Sequence, residues 1–136
     1  MNILYPVFAM AALTFFCMFR LGYMRFNAVR RKEVDFRFFR QYRDYEEPDD
    51  LRVMSRHVVN QFETPVLFYA ISIIAFVTET VSILILALAW AYVGLRYIHS
   101  YIHLTSNIVI HRFRVFITGQ FVLTALWIVV LLGLVL

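Results

Sequence analysis

Apolar residues fill four stretches of the chain almost without interruption, and polar residues collect in the gaps between them. The first stretch covers about residues 3–23, broken only by Pro6 near its start and by Arg20 near its end, where a long side chain can reach the headgroup layer. The second covers about 57–77, the third about 82–108 and the fourth about 115–136. A bilayer core of about 30 Å takes roughly 20 apolar helical residues per crossing, so each stretch predicts one transmembrane helix. Lipid offers no partner to a free backbone amide, and the helix satisfies its own. The expected fold is therefore all-α: an antiparallel, integral membrane four-helix bundle in a single domain, 1–136. Residues 24–56 form the one sizeable loop, Thr78-Glu79-Thr80 ends the second span, and His111-Arg112-Phe113-Arg114 leads into the fourth. No Gly or Pro follows Leu95 in the third stretch, so that helix is expected to carry Arg96, His99, His103 and Asn107 past the bilayer.

Composition agrees with lipid as the main solvent: 62% of the 136 residues are hydrophobic and 16% charged, against about 45–50% and about 25% in soluble domains. The first apolar run has no basic residues before it and no small-residue cleavage site after it, so it is read as a retained helix rather than a cleaved leader. Cys17 is the single cysteine and has no partner for an intramolecular disulfide. The net charge of +4 does not point to nucleic acid, because ten of the thirteen Lys and Arg residues lie between Arg20 and Arg56, beside membrane spans. The opposite side offers only Glu79 and the termini, which by the positive-inside rule places the basic loops in the cytoplasm and both termini outside. An acidic patch, Asp44 to Asp50, surrounds Pro48 in the first loop.

Ionisable groups within a span cost roughly 2.5–3.5 kcal/mol each at its centre, and so mark a partner or a purpose. Arg56, Asn60 and Glu63 are spaced by four and three and share one stripe of a helix, able either to join helices or to meet a polar ligand. Arg96, His99, His103 and Asn107 advance by three, four and four and form a second face. His99 and His103 also have the spacing of a metal-binding pair that Glu63 or His111 could complete, but no second carboxylate on that helix supports it, and no metal is assigned. Tyr97 and Tyr101 are read as interfacial belt residues, and Arg114 as a positive-inside anchor.

The string Arg56-His-Val-Val-Asn60-Gln-Phe-Glu63-Thr-Pro65 resembles the Arg-x-x-x-Asn-x-x-Glu motif, followed shortly by proline, of the MAPEG family, the membrane-associated proteins of eicosanoid and glutathione metabolism. Arg96-Tyr-Ile-His99-Ser-Tyr-Ile-His103, with Asn107 and then Arg112, resembles the same family's third-helix pattern and its later arginine. The resemblance covers most of the chain and is to members of bacterial type and microsomal glutathione transferase kind. It implies a homotrimer with glutathione as cosubstrate, held in clefts between neighbouring copies near the cytoplasmic face. Arg56, Asn60 and Glu63 would hold the peptide together with Arg30 or Arg31 from the end of the first helix. His103, with His99 and Asn107 on the same face, would complete the binding set, and Arg112 would be the catalytic residue that stabilises the thiolate. The chain departs from several members in carrying His103 where they have tyrosine and Phe113 directly after Arg112.

What the resemblance implies is a glutathione-dependent membrane enzyme, a transferase or lipid-hydroperoxide reductase acting on lipophilic electrophiles in the bacterial inner membrane. The alternative is a noncatalytic member that binds lipid or helps to assemble other membrane proteins. A transporter is disfavoured, since broken Gly-rich spans or an inverted repeat would be expected and the chain has only 4 glycines.

Overall fold

The computed structural model describes residues 2–42 and 46–135. They form six helices, α1 (Leu4–Arg30), α2 (Phe38–Gln41), α3 (Asp49–Gln61), α4 (Thr64–Val77), α5 (Ile83–Leu104) and α6 (Val109–Val135), with no strand among the described residues. Four segments are long and apolar enough to cross a membrane: α1, the broken pair α3–α4 over Asp49–Val77, α5 and α6. The protein is an all-helical, multi-pass membrane bundle, and large apolar side chains such as Phe8, Phe19, Phe121 and Val135 cover its outer surface. Packing sets α1 along α3, α5 along α6, and α5 across both α1 and α3.

Three helices run beyond the apolar stretches that announce them: α1, α3, and α6, which starts at Val109 and so takes His111 to Arg114 into its first turns instead of leaving them as a connection. At 1.5 Å per residue the 27 residues of α1 reach about 40 Å, past a hydrocarbon core of about 30 Å. The added turns exist because α1 buries Leu21 and Ala28 on the side that meets α3, while α3 buries Leu51, Met54, His57 and Gln61 at helical spacing. The predicted loop 24–56 is thereby reduced to residues 31–48. Pro48 precedes the first turn of α3, where Asp49 and Asp50 face the positive end of the helix dipole. Part of the acidic patch is thus a helix start, and Ser55 Oγ donates to Glu47 Oε1 at 3.0 Å just beside it; Asp44 lies outside the described residues. Within the loop, Val34 and Phe38 are buried, and Arg25 lies 5.2 Å from the centre of the Phe39 ring and donates to Tyr42 Oη at 3.1 Å.

The second span breaks at Phe62–Glu63. Pro65 has no amide hydrogen to give the Gln61 carbonyl one turn earlier, and its ring crowds that carbonyl. The chain responds by ending α3 at Gln61, holding Glu63 at φ −90°, ψ −89°, and starting α4 at Thr64 with proline in its first turn. Glu63 is therefore outside the regular α3 repeat that carries Arg56 and Asn60.

Ser82 caps α5, its hydroxyl accepting from the Ile85 amide at 3.2 Å. The helix ends at Leu104, about one turn earlier than its unbroken polar-apolar pattern predicts. The stop is made by Asn107, whose left-handed backbone (φ 48°) lets its amide reach back to the Ile102 carbonyl at 2.8 Å. Asparagine tolerates that conformation better than most side chains, so no glycine is needed.

Candidate functional site

The buried face of α5 changes character along its length: Ile85, Ala89, Tyr92 and Val93 give way to Arg96, His99, Ser100 and His103. Burying so many polar groups in a membrane bundle is costly unless each finds a partner. Arg96 is 2% exposed, and its Nη2 donates to the Asn60 carbonyl at 3.0 Å. That carbonyl belongs to the last turn of α3, where the break before Pro65 leaves backbone acceptors free. The guanidinium thus sits against the negative end of a helix dipole in place of a carboxylate. Its Nε and Nη1 have no partner among the described residues.

One turn further towards the basic end, three histidine rings cluster. His57 of α3 lies with its ring centre 4.8 Å from that of His103 and 6.1 Å from that of His99, and the two α5 rings are 5.9 Å apart. Hydrogen bonds fix their roles. Gln61 Nε2 donates to His57 Nε2 at 3.1 Å and reaches Ser100 Oγ at 3.5 Å. His99 Nδ1 donates to the Arg112 carbonyl at 3.3 Å. Arg112 Nη1 donates to Asn107 Oδ1 at 2.8 Å and approaches His103 Nε2 at 3.5 Å. His57 and His103 therefore accept through Nε2 and are neutral. No group of three or more His, Cys, Asp or Glu side chains among the described residues could hold a metal ion, and the third neighbour of the His99–His103 pair is His57, not Glu63 or His111.

Arg112 is only half-buried, and both of its side-chain partners are neutral. The one ion pair among the described residues is Arg52 with Asp49, so the Arg112 charge has no carboxylate beside it. The guanidinium borders a cavity of about 210 Å³ lined by Asn60, His99, Val109, Phe113 and Phe116. This cleft brings together residues from α3, α5 and α6 that are far apart in sequence.

The nine residues singled out above thus fall into three groups. Asn60, His99 and Arg112 share the cleft, with His103 and Asn107 holding Arg112 from behind. Arg56 and Glu63 are exposed on the outer surface of the bundle and make no ion pair within the chain. Arg30 is exposed near the end of α1, and Arg31 borders a separate cavity of about 180 Å³ with Asn27, Glu33 and Asp50. Sequence reasoning missed His57 and Gln61 as members of the polar centre; the signal was their i, i+4 spacing in register with the buried Leu51 and Met54.

A four-span helical membrane protein whose buried polar centre opens on an unneutralised arginine is the class these features define. Residues 3–132 match the MAPEG family model, and the chain belongs to that family, a membrane family of glutathione and eicosanoid metabolism. No curated protein and no solved structure matches it.

Proposed function

We propose that the protein is a glutathione-dependent enzyme, a transferase or lipid-hydroperoxide reductase acting on lipophilic electrophiles, and that it works as a homotrimer. The observation that carries this reading is Arg112: half-buried, fixed by two neutral acceptors, and directed by no internal carboxylate. Glutathione supplies a thiol whose reactive form is the thiolate. A guanidinium that stays protonated at any working pH stabilises that anion, and the acceptors Asn107 Oδ1 and His103 Nε2 orient it without cancelling its charge.

The remaining groups suit the rest of the peptide. Arg56, with Arg30 or Arg31, matches its carboxylates, and the exposed Glu63 matches its ammonium. In one chain these groups do not converge on Arg112, and the cleft of about 210 Å³ is smaller than the roughly 300–1,000 Å³ of ordinary ligand pockets. A neighbouring copy completes the site, its α1 end supplying the missing basic residue. Arg56 and Glu63 stand on the surface that such a neighbour would cover. We further place the protein in a bacterial inner membrane, with its basic end in the cytoplasm, where glutathione is available, and both termini outside.

The test is glutathione binding to the detergent-purified protein, followed by thiolate absorbance. A thiolate signal supports the enzyme; no binding at millimolar glutathione would leave the other reading, a lipid-binding or assembly protein on the same fold. Glu63→Gln is expected to weaken glutathione affinity by about tenfold, the size of one charge-assisted hydrogen bond, or to loosen the oligomer. Unchanged affinity and unchanged oligomeric mass would remove Glu63 from the site.

A further inference from the structure

Two cavities away from the Arg112 cleft meet at a single arginine. The larger, about 470 Å³, is a groove between α1 and α5 walled by Ala12, Leu13, Phe16, Tyr101 and Leu104. Tyr97 also lines it and donates its hydroxyl to the Ala9 carbonyl at 2.8 Å, which ties α5 to α1 and closes the groove at that depth. From Ala12 to Arg20 the helix rises about 12 Å, so the groove runs from within the apolar layer to the headgroup level at the basic end. Its volume is that of a small-molecule site.

The second cavity, about 260 Å³, opens at the basic end of the bundle between α1, α3 and α5. It shares Arg20, Leu104 and Thr105 with the groove and adds Asp49, Asp50, His103 and Asn107. Arg20 and Asp50 form no ion pair among the described residues, whereas Asp49 is paired with Arg52. Passing from the apolar layer outwards, the composite cleft therefore presents apolar walls, then one cation, then carboxylates. His103, 4% exposed, lines its polar part.

We infer that this cleft binds an aminophospholipid of the adjoining leaflet, with one acyl chain in the α1–α5 groove, the phosphate at Arg20 and the primary ammonium at Asp50 and Asp49. The order of groups in the ligand is the order of groups in the cleft. A phosphatidylglycerol headgroup brings no cation to the carboxylates. A phosphatidylcholine headgroup brings a cation without N–H donors. A fatty acid satisfies Arg20 but leaves the polar cavity empty. The site is distinct from the Arg112 cleft and does not depend on glutathione chemistry; the two adjoin through His103 and Asn107.

Native mass spectrometry of the full-length detergent-solubilised protein, given equal amounts of palmitoyl-oleoyl phosphatidylethanolamine, phosphatidylglycerol, phosphatidylcholine and oleate, tests it. Phosphatidylethanolamine is expected to be retained about five- to tenfold over each of the others, the scale of one charge-assisted contact. Asp50→Asn should erase the headgroup preference, Arg20→Gln should lower retention of all three phospholipids, and Arg20→Lys should restore part of it. Ala12→Trp, at an exposed position that fills the groove, should reduce retention without unfolding the bundle. Equal retention of all four lipids, stronger retention of phosphatidylglycerol or oleate, or displacement of phosphatidylethanolamine by millimolar glutathione would overturn the assignment.

Discussion

Arg112→Leu is expected to abolish the thiolate signal of bound glutathione while leaving the oligomer intact. A free thiol has a pKa near 8.5, so only a few per cent is ionised at neutral pH without help. A full positive charge about 4 Å from the sulfur, at an effective dielectric near 20, favours the anion by roughly 4 kcal/mol, or about three pKa units. Removing it should return bound glutathione to a largely protonated state, a loss of tenfold or more in absorbance. Leucine leaves Asn107 and the buried His103 without their donor, but it keeps the Arg112 carbonyl that accepts from His99 Nδ1 and joins α5 to α6. Arg112→Lys should give an intermediate signal, because it keeps the charge and loses the planar fork. Arg114→Leu is the control: Arg114 is exposed and borders no part of the cleft, so the signal should stay. Full retention in Arg112→Leu would move the role to another residue.

The second large effect is on stability. Tyr92→Ala is expected to cost about 3 kcal/mol, and Tyr92→Phe about 1 kcal/mol or less. Tyr92 has no exposed surface; its ring stacks on Phe68 at 4.9 Å, and its hydroxyl donates to Thr64 Oγ1 at 3.3 Å. Lipid tails are as apolar as the bundle interior, so the ring is held by close packing more than by exclusion from water. Alanine empties that space at the centre, whereas phenylalanine fills it and gives up a single hydrogen bond. Thermal unfolding in one detergent should separate the two variants clearly. Equal midpoints would mean that the interior relaxes around the hole.

The four spans are legible in the sequence because each needs about 20 consecutive apolar residues, and hydropathy sees that length directly. The helical turns over residues 24–30 and 49–56 are not, because those segments are amphipathic. Their apolar stripe, Ala28 against Leu51 and Met54, is recognised only once the two helices are side by side. The end of α5 escaped for a different reason, since it is made by an asparagine in a left-handed conformation and not by glycine or proline. In the candidate site, helical spacing was enough to place His99 and His103 on one buried face, and the nearby Arg112 follows from chain continuity. His57 stood at the edge of an apolar run and read as the start of a span, although its register with Gln61 turns it inwards. The departure of Glu63 from the stripe of Arg56 and Asn60 could not be read from spacing, because Pro65 interrupts the helix that spacing assumes.

That interruption binds two distant positions into one unit. Pro65 ends α3 at Gln61, and the break keeps the Thr64 amide from the Asn60 carbonyl, which Arg96 uses instead. Pro65→Ala alone would let the helix run on, bring the Thr64 amide to the Asn60 carbonyl and strand a buried guanidinium; removing Arg96 alone would strand the carbonyl. Pro65→Ala and Arg96→Met are therefore expected to be less harmful together than the sum of their separate effects, a positive coupling that a double-mutant cycle on thermal stability would measure and that additive losses would refute. Across divergent relatives the same constraint predicts joint gain and loss: the proline of the second span and the arginine of the third should be inherited as a pair, so that a chain keeping one without the other has found a different counterweight for its buried charge.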